Sequence, residues 1–298
     1  MEKQQFNNSL TDNGGVAFLL MTCTYFAVTI IVKLILQALS ITEGVIFYTL
    51  SGLIAPLSMC LVLGGISIKE KRNIFSVTQV KPFNPTFILY AVVLAVAMFF
   101  GFGFINSSIV ELLSGLGLNV SSVTLKVTSL TEFIVYSIVF ALLPALLEEC
   151  FFRGLILDRL QGKTIPVAIT VGLCFALYHG SFAQFVYQFI YGVSLTYLTI
   201  KAKSVLPSAI AHFINNFAVI LLTYLGVEIR LDNVMVIVMG ICLFIVFWVS
   251  LCCYQTKKWS VKHVAGPQSV TVKNFWLPFG LFVGLVFGVL MIVSLFIG

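Results

Sequence analysis

Glu148 and Glu149 are adjacent carboxylates at the end of an apolar stretch that reaches back to Phe133, and Arg153 follows one helical turn later. An ionisable residue at the centre of a membrane helix costs roughly 2.5–3.5 kcal/mol on the insertion scale, so such groups mark functional sites. Two other apolar stretches carry polar side chains. One ends Phe175-Ala176-Leu177-Tyr178-His179, and the other reads His212-Phe213-Ile214-Asn215-Asn216. These residue types suit hydrolysis of a peptide bond without a serine or cysteine nucleophile. A carboxylate can act as general base for water, and an imidazole or amide N–H can stabilise the tetrahedral oxyanion. Helical spacing separates the two acids. Glu149 and Arg153 share a face in the favourable acid-first order, whereas Glu148 is turned about 100° away and has no sequence-local cation. The bland alternative is a structural ion-pair cluster, with each histidine a satisfied interhelical hydrogen bond.

The elements that must position these groups are membrane spans. The chain has 298 residues, of which 60% are hydrophobic and 9% charged, and its mean hydropathy is +1.08. A soluble domain carries about 25% charged residues. Apolar runs of about 20 residues, enough to cross a ~30 Å hydrocarbon layer, recur near 16–39, 44–66, 86–107, 131–157, 165–182, 183–200, 205–226, 234–254 and 276–298. The expected fold is an all-α polytopic transmembrane bundle of eight or nine segments, with the two runs between 165 and 200 as possible partial crossings. At about 1.5 Å per helical residue, Glu148 and Asn216 lie ~15 Å from the inner ends of their spans, His212 ~9 Å and His179 ~21 Å. The four side chains therefore fall in one layer and can surround one water.

The chain reads as a single integral domain over 1–298. Ordinary spans occupy 1–130, the unusual polar residues concentrate in 131–226, and further spans fill 227–298. The first run follows a polar segment without a cleavage pattern and reads as a retained anchor. With the amino terminus inside, Lys3, Lys69, Lys71, Arg72, Lys81, Arg159, Lys163, Lys201, Lys203, Lys257, Lys258, Lys262 and Lys273 fall on the inner side, against Lys126 and Arg230 outside. That is a positive-inside pattern. It places the protein in a membrane, read here as a prokaryotic plasma membrane, with the amino terminus cytosolic. The expected partners are lipids and a peptide or protein substrate. Nucleic acid is not among them, because the basic residues sit where anionic headgroups meet the spans. All seven cysteines lie within or at the ends of spans without metal-ligand spacing, and Cys150 beside the glutamates reads as a small hydrophobe. His263, in a basic inner loop, reads as solvated surface.

The elements Glu148-Glu149…Arg153, Phe175…His179 and His212…Asn216 resemble, in this order and spacing, the three-motif signature of the CPBP family. That family comprises type II CAAX prenyl endopeptidases and the bacterial Abi bacteriocin-processing and immunity proteins. Two aromatics and then Arg153-Gly154 follow the acid pair, as in the family, and Ser204 to Ala211 is similar to its approach to the last motif. The resemblance covers about 145–220. It implies an intramembrane endopeptidase, a helical bundle with a conical cavity open toward the cytosol, and roles for individual residues. Glu148 would activate water, His179 would help hold and polarise it, and His212 and Asn216 would bind the water or the oxyanion. Glu149 and Arg153 would support the site. The substrate stays open between a prenylated CAAX protein and a peptide or lipoprotein precursor.

Family members are commonly called metalloproteases, and Glu148, His179 and His212 are the donor types of a His₂Glu zinc site. Against zinc, no His-Glu-x-x-His motif is present, Glu149 would have to act as base while facing Arg153, and Asn216 suits an oxyanion better than zinc. The expectation is therefore no cofactor, with zinc as the alternative. Two other classes stand beside the protease: a non-catalytic immunity or scaffold protein that binds a peptide in the same cavity, and a transporter, which the absence of an evident repeat disfavours.

Overall fold

The computed structural model describes residues 14–118, 125–227, 233–254, 262–263, 270–276 and 284–289. Two long apolar helices open the chain, α1 (Gly14–Ala38) and α2 (Gly44–Glu70), and pack on each other. A short α3 (Ile74–Val77) is capped by the Asn73 side chain, which accepts from Phe75 N. Next, α4 (Thr86–Phe102) and α5 (Phe104–Gly115) form a nearly continuous rod. The helix over Leu130–Ile156 begins with a Ser129/Glu132 capping box. It is not uniform: α6 (Leu130–Tyr136) and α7 (Leu143–Glu149) alternate with π-helical stretches at Ser137–Leu142 and Cys150–Ile156. Strand β1 (Leu160–Lys163), α8 (Thr164–Tyr178), α9 (Phe182–Ala202), α10 (Leu206–Leu225) and α11 (Val234–Cys253) follow. Strands β2 (Lys262–His263) and β3 (Val270–Thr271) and the short α12 (Val272–Phe275) come last.

Among the described residues, six helices are long and apolar enough to cross a membrane: Gly14–Ala38, Gly44–Glu70, Thr86–Gly115, Leu130–Ile156, Leu206–Leu225 and Val234–Cys253. The protein is an all-α polytopic membrane bundle. Of the two runs between 165 and 200, α8 is 15 residues, about 22 Å and shorter than the hydrocarbon layer. The other, α9, has 21 residues and, with its many tyrosines and threonines, is less apolar. Most of the span expected at 276–298, together with Arg230, Lys257 and Lys258, lies outside the described residues. Exposed apolar side chains such as Ile30, Ile31 and Leu34 on α1, and Ile245, Val246 and Val249 on α11, face outward, as lipid contact requires.

Small residues let the helices approach closely, the device that replaces a hydrophobic driving force inside lipid. Where α4 meets α11, a Cβ on Gly101 would stand 2.7 Å from the Gly240 carbonyl carbon. Where α8 meets α9, a Cβ on Gly172 would stand 2.7 Å from Val193 N. The α8–α9 hairpin turns at Gly180, whose φ is +58°.

The loops that gather at one end of the bundle are more ordered than a loop reading suggests. β1 pairs antiparallel with β2, Gly162 opposite His263, and parallel with β3, Leu160 opposite Val270. His263 is thus a strand residue, and its side chain lies outside the description. Arg72 and Arg159, counted from the sequence among the inner-side basic residues, are built into an ion network. Arg72 Nη2 meets Asp158 Oδ2 at 3.2 Å and Arg72 Nη1 meets Glu70 Oε2 at 3.4 Å. Arg159, 1% exposed, pairs with Glu70 Oε1. Val205 N donates to the Gln79 carbonyl, and Ser204 Oγ to the Lys81 carbonyl. These contacts gather the end of α2, the 71–82 and 157–163 segments and the α9–α10 turn at one end of the bundle. The start of α1 is there too, since a Cβ on Gly14 would lie 3.3 Å from Arg159 Cβ.

Candidate active site

The site forms between α7, the π-helical stretch that follows it, α8, α9 and α10. Glu149 and Arg153 are each 0% exposed. Arg153 Nη1 donates to Glu149 Oε1 at 2.8 Å, as the four-residue spacing predicts. The remaining guanidinium donors are anchored on α9: Nη2 reaches the Gly192 carbonyl at 3.1 Å and Nε reaches Thr196 Oγ1 at 3.3 Å. The guanidinium also lies over the Phe175 ring, 4.2 Å from its centroid, a cation–π contact favoured where both partners are desolvated. Arg153 therefore ties the glutamate helix to both strokes of the α8–α9 hairpin.

Glu149 has a second partner. His212 Nδ1 lies 2.9 Å from the same Oε1 atom. Since a carboxylate oxygen accepts, Nδ1 carries the proton and donates, and in the neutral ring Nε2 is left as an acceptor. That Nε2 faces Glu148 Oε2 at 3.9 Å. Glu148 is buried, and its Oε2 has no hydrogen-bond partner among the described residues; the same holds for Glu149 Oε2. His212 thus stands between the two acids, bonded to one and facing the other.

His179 follows the last residue of α8, and its Nδ1 donates to the carbonyl of Phe175 one turn back, at 2.8 Å. In the neutral ring this again leaves Nε2 as acceptor. Phe175 is the hub of the ring packing: its centroid is 4.7 Å from the His179 ring and 5.8 Å from the His212 ring, both edge-on. The buried hydroxyls of Tyr178 and Tyr191 have no partner among the described residues, and the Tyr191 ring lies 6.1 Å from His212.

Asn216 sits one turn beyond His212 on α10, and its Nδ2 donates to the Phe140 carbonyl at 3.3 Å. Pro144 explains why that carbonyl is accessible. An α-helix would pair it with the N–H of residue 144, and proline has none. The π-helical stretch Ser137–Leu142 surrounds the same carbonyl, and such interruptions favour functional sites.

The structure therefore joins Glu148, Glu149, Arg153 and His212 directly, brings His179 in through Phe175, and seats Asn216 against the glutamate helix. Sequence reasoning missed the Glu149–His212 bond, the Thr196 and Gly192 anchors of Arg153, and Asn215, whose Oδ1 accepts from Tyr187 at 2.7 Å. Tyrosine and threonine within an otherwise apolar α9 were the available signal for the anchors. As for zinc, among the described residues no three His, Cys, Asp or Glu side chains come together as metal ligands. Glu148 Oε2 and His212 Nε2 face each other at 3.9 Å, with His212 Nδ1 committed to Glu149.

Residues 130–218 match the family model described as type II CAAX prenyl endopeptidase, Rce1-like. No curated protein and no solved structure matches the chain. The matched segment begins at the glutamate helix and ends two residues past Asn216, so it encloses every polar group of the site. Over this segment, just under a third of the chain, the protein is similar to the type II CAAX prenyl endopeptidases, a family of intramembrane proteases.

Proposed function

We propose that Glu148 activates a water for peptide-bond hydrolysis, without a metal, near the cytosolic side of the membrane. The observation that carries this is the facing of two acceptors. Glu148 Oε2, buried and unpartnered, opposes His212 Nε2 at 3.9 Å, a gap that two hydrogen bonds of about 2.8 Å can bridge. A water there donates one hydrogen to each acceptor and turns its lone pairs toward a substrate carbonyl.

Glu148 takes the proton as the water oxygen bonds to the carbonyl carbon. The carbonyl π pair moves onto the oxygen, where the Asn216 amide N–H stabilises it. Collapse expels the amine, which takes its proton from Glu148. Glu149 holds the His212 tautomer and orientation, the part a buried carboxylate plays toward histidine in hydrolytic triads. Arg153 offsets the charge of Glu149, so a second buried anion beside Glu148 is tolerated. His179 Nε2 can replace His212 Nε2 as acceptor of the water's second hydrogen. The substrate is an apolar or lipid-bearing peptide end of CAAX type entering from the bilayer through a cavity open to the cytosol.

Orientation follows from charge. Lys69, Lys71, Lys81, Lys163, Lys201 and Lys203 belong to the end of the bundle that also receives the start of α1, which supports a cytosolic amino terminus in a prokaryotic plasma membrane. A reporter fused after Lys81 should read as cytosolic and one after Lys126 as external; the opposite result reverses the topology.

The metal-free mechanism is tested on purified protein in detergent with a library of prenylated and unprenylated CAAX-type peptides. Cleavage should survive prolonged zinc chelation, with well under one metal per chain by elemental analysis. Stoichiometric zinc that leaves with activity, and is lost in His179→Ala or His212→Ala, would make Glu148 a ligand instead of a base.

A further inference from the structure

Three side chains and one carbonyl form a hydrogen-bonded line across α9, α10 and the glutamate helix. Tyr187 Oη meets Asn215 Oδ1 at 2.7 Å, Asn215 Nδ2 meets Asn216 Oδ1 at 3.4 Å, and Asn216 Nδ2 meets the Phe140 carbonyl at 3.3 Å. Tyr187 and Asn215 are both buried. Amide nitrogen and oxygen are assigned from the network, and here the network leaves one solution. The Phe140 carbonyl can only accept, so the Asn216 nitrogen must face it. Asn216 Oδ1 then faces Asn215 and needs a donor, which turns the Asn215 nitrogen toward it. Asn215 Oδ1 is left facing Tyr187, whose hydroxyl donates. The direction of the whole line is set from the carbonyl that Pro144 leaves without its α-helical partner.

We propose that Tyr187 and Asn215 are positioning residues that lock the Asn216 amide so that its second N–H, and never its oxygen, meets the developing oxyanion. This rests on the reading of Asn216 as the oxyanion donor. A side-chain amide that turns over exchanges donor for acceptor, and an acceptor aimed at an oxyanion opposes the reaction it should assist. Glu149, Arg153 and His212 do not touch this amide in the hydrogen-bond network, so the lock is separate from the ion-pair lock on His212. The line also explains why the residue before Asn216 is polar and buried in a helix that crosses lipid.

The test uses full-length protein in detergent and a quenched fluorescent prenylated CAAX peptide. Tyr187→Phe keeps the ring, including its packing 6.0 Å from Tyr191, and removes only the donor. Asn215→Leu removes the middle of the line at similar size. Both should lower kcat with KM little changed, by about 3- to 100-fold, the span of couplings within one hydrogen-bond network. In an Asn216→Ala background the same substitutions should change kcat by less than about two-fold, because the group they act through is gone. Equal losses in both backgrounds would overturn the proposal. A readout independent of substrate is the side-chain amide resonance of Asn216 in asparagine-¹⁵N-labelled protein, which Tyr187→Phe should shift; an unmoved resonance also overturns the lock. If that resonance moves while Asn216→Ala leaves kcat intact, the oxyanion role of Asn216 falls, and the functional role of the line with it, although the hydrogen bonds stand.

Discussion

Two clusters of acids and arginines sit in this molecule, and they differ in what is left over. At the end of the bundle that holds β1, every carboxylate oxygen of Glu70 and Asp158 is occupied. Glu70 Oε1 takes Arg159 and Oε2 takes Arg72, while Asp158 Oδ2 takes Arg72 and Oδ1 takes Gln79 Nε2 at 3.0 Å. In the site between α7 and α10, Arg153 and His212 both converge on one oxygen of Glu149, and Oε2 of Glu148 and of Glu149 have no partner among the described residues. Leaving a buried acceptor unpaired costs about 1–3 kcal/mol, more for a charged group, so a fold retains such atoms where they act on something else. The saturated cluster joins segments. The unsaturated one is poised for a ligand.

That contrast is most readily broken by removing charge from each cluster in turn. Glu149→Gln leaves Arg153 a fully buried cation without its charge partner and replaces the charged acceptor of His212 with a weaker neutral one. A loss of about 3–5 kcal/mol in stability is expected, seen as lower abundance or melting temperature, together with reduced turnover. Asp158→Asn should do far less. Its partner Arg72 is 22% exposed on its side chain, solvent screens the pair, and about 1 kcal/mol is at stake. Cleavage per folded molecule should be unchanged. Should Asp158→Asn reduce kcat as Glu149→Gln does, the division between a structural and a reactive cluster is wrong.

How much was legible in advance follows the same division. Span positions could be read because a membrane helix must be apolar for its whole length, and α10 and α11 fall within a residue of the runs at 205–226 and 234–254. The Glu149–Arg153 pair was legible because both residues lie on one helix, four apart. Glu149–His212 was not, since the two are 63 positions apart and their meeting depends on how α10 packs against α7. The small β1–β2–β3 sheet was invisible for a different reason: strands of two residues carry no periodicity, and partners 100 residues apart leave no local trace. Pro144 removes the α-helical donor of the Phe140 carbonyl, but nothing in the sequence indicated that Asn216 would reach it.

The central claim is that Glu148 is a base and not a structural acid, and Glu148→Gln tests it most directly. The substitution keeps shape and removes basicity. With protein purified in detergent, cleavage of the CAAX-type peptide library should fall by roughly 10²- to 10⁴-fold, the contribution of a general base, while abundance and melting temperature stay near wild type. Wild-type cleavage by Glu148→Gln would contradict the account, as would a loss of activity matched by a loss of folded protein indistinguishable from that of Glu149→Gln.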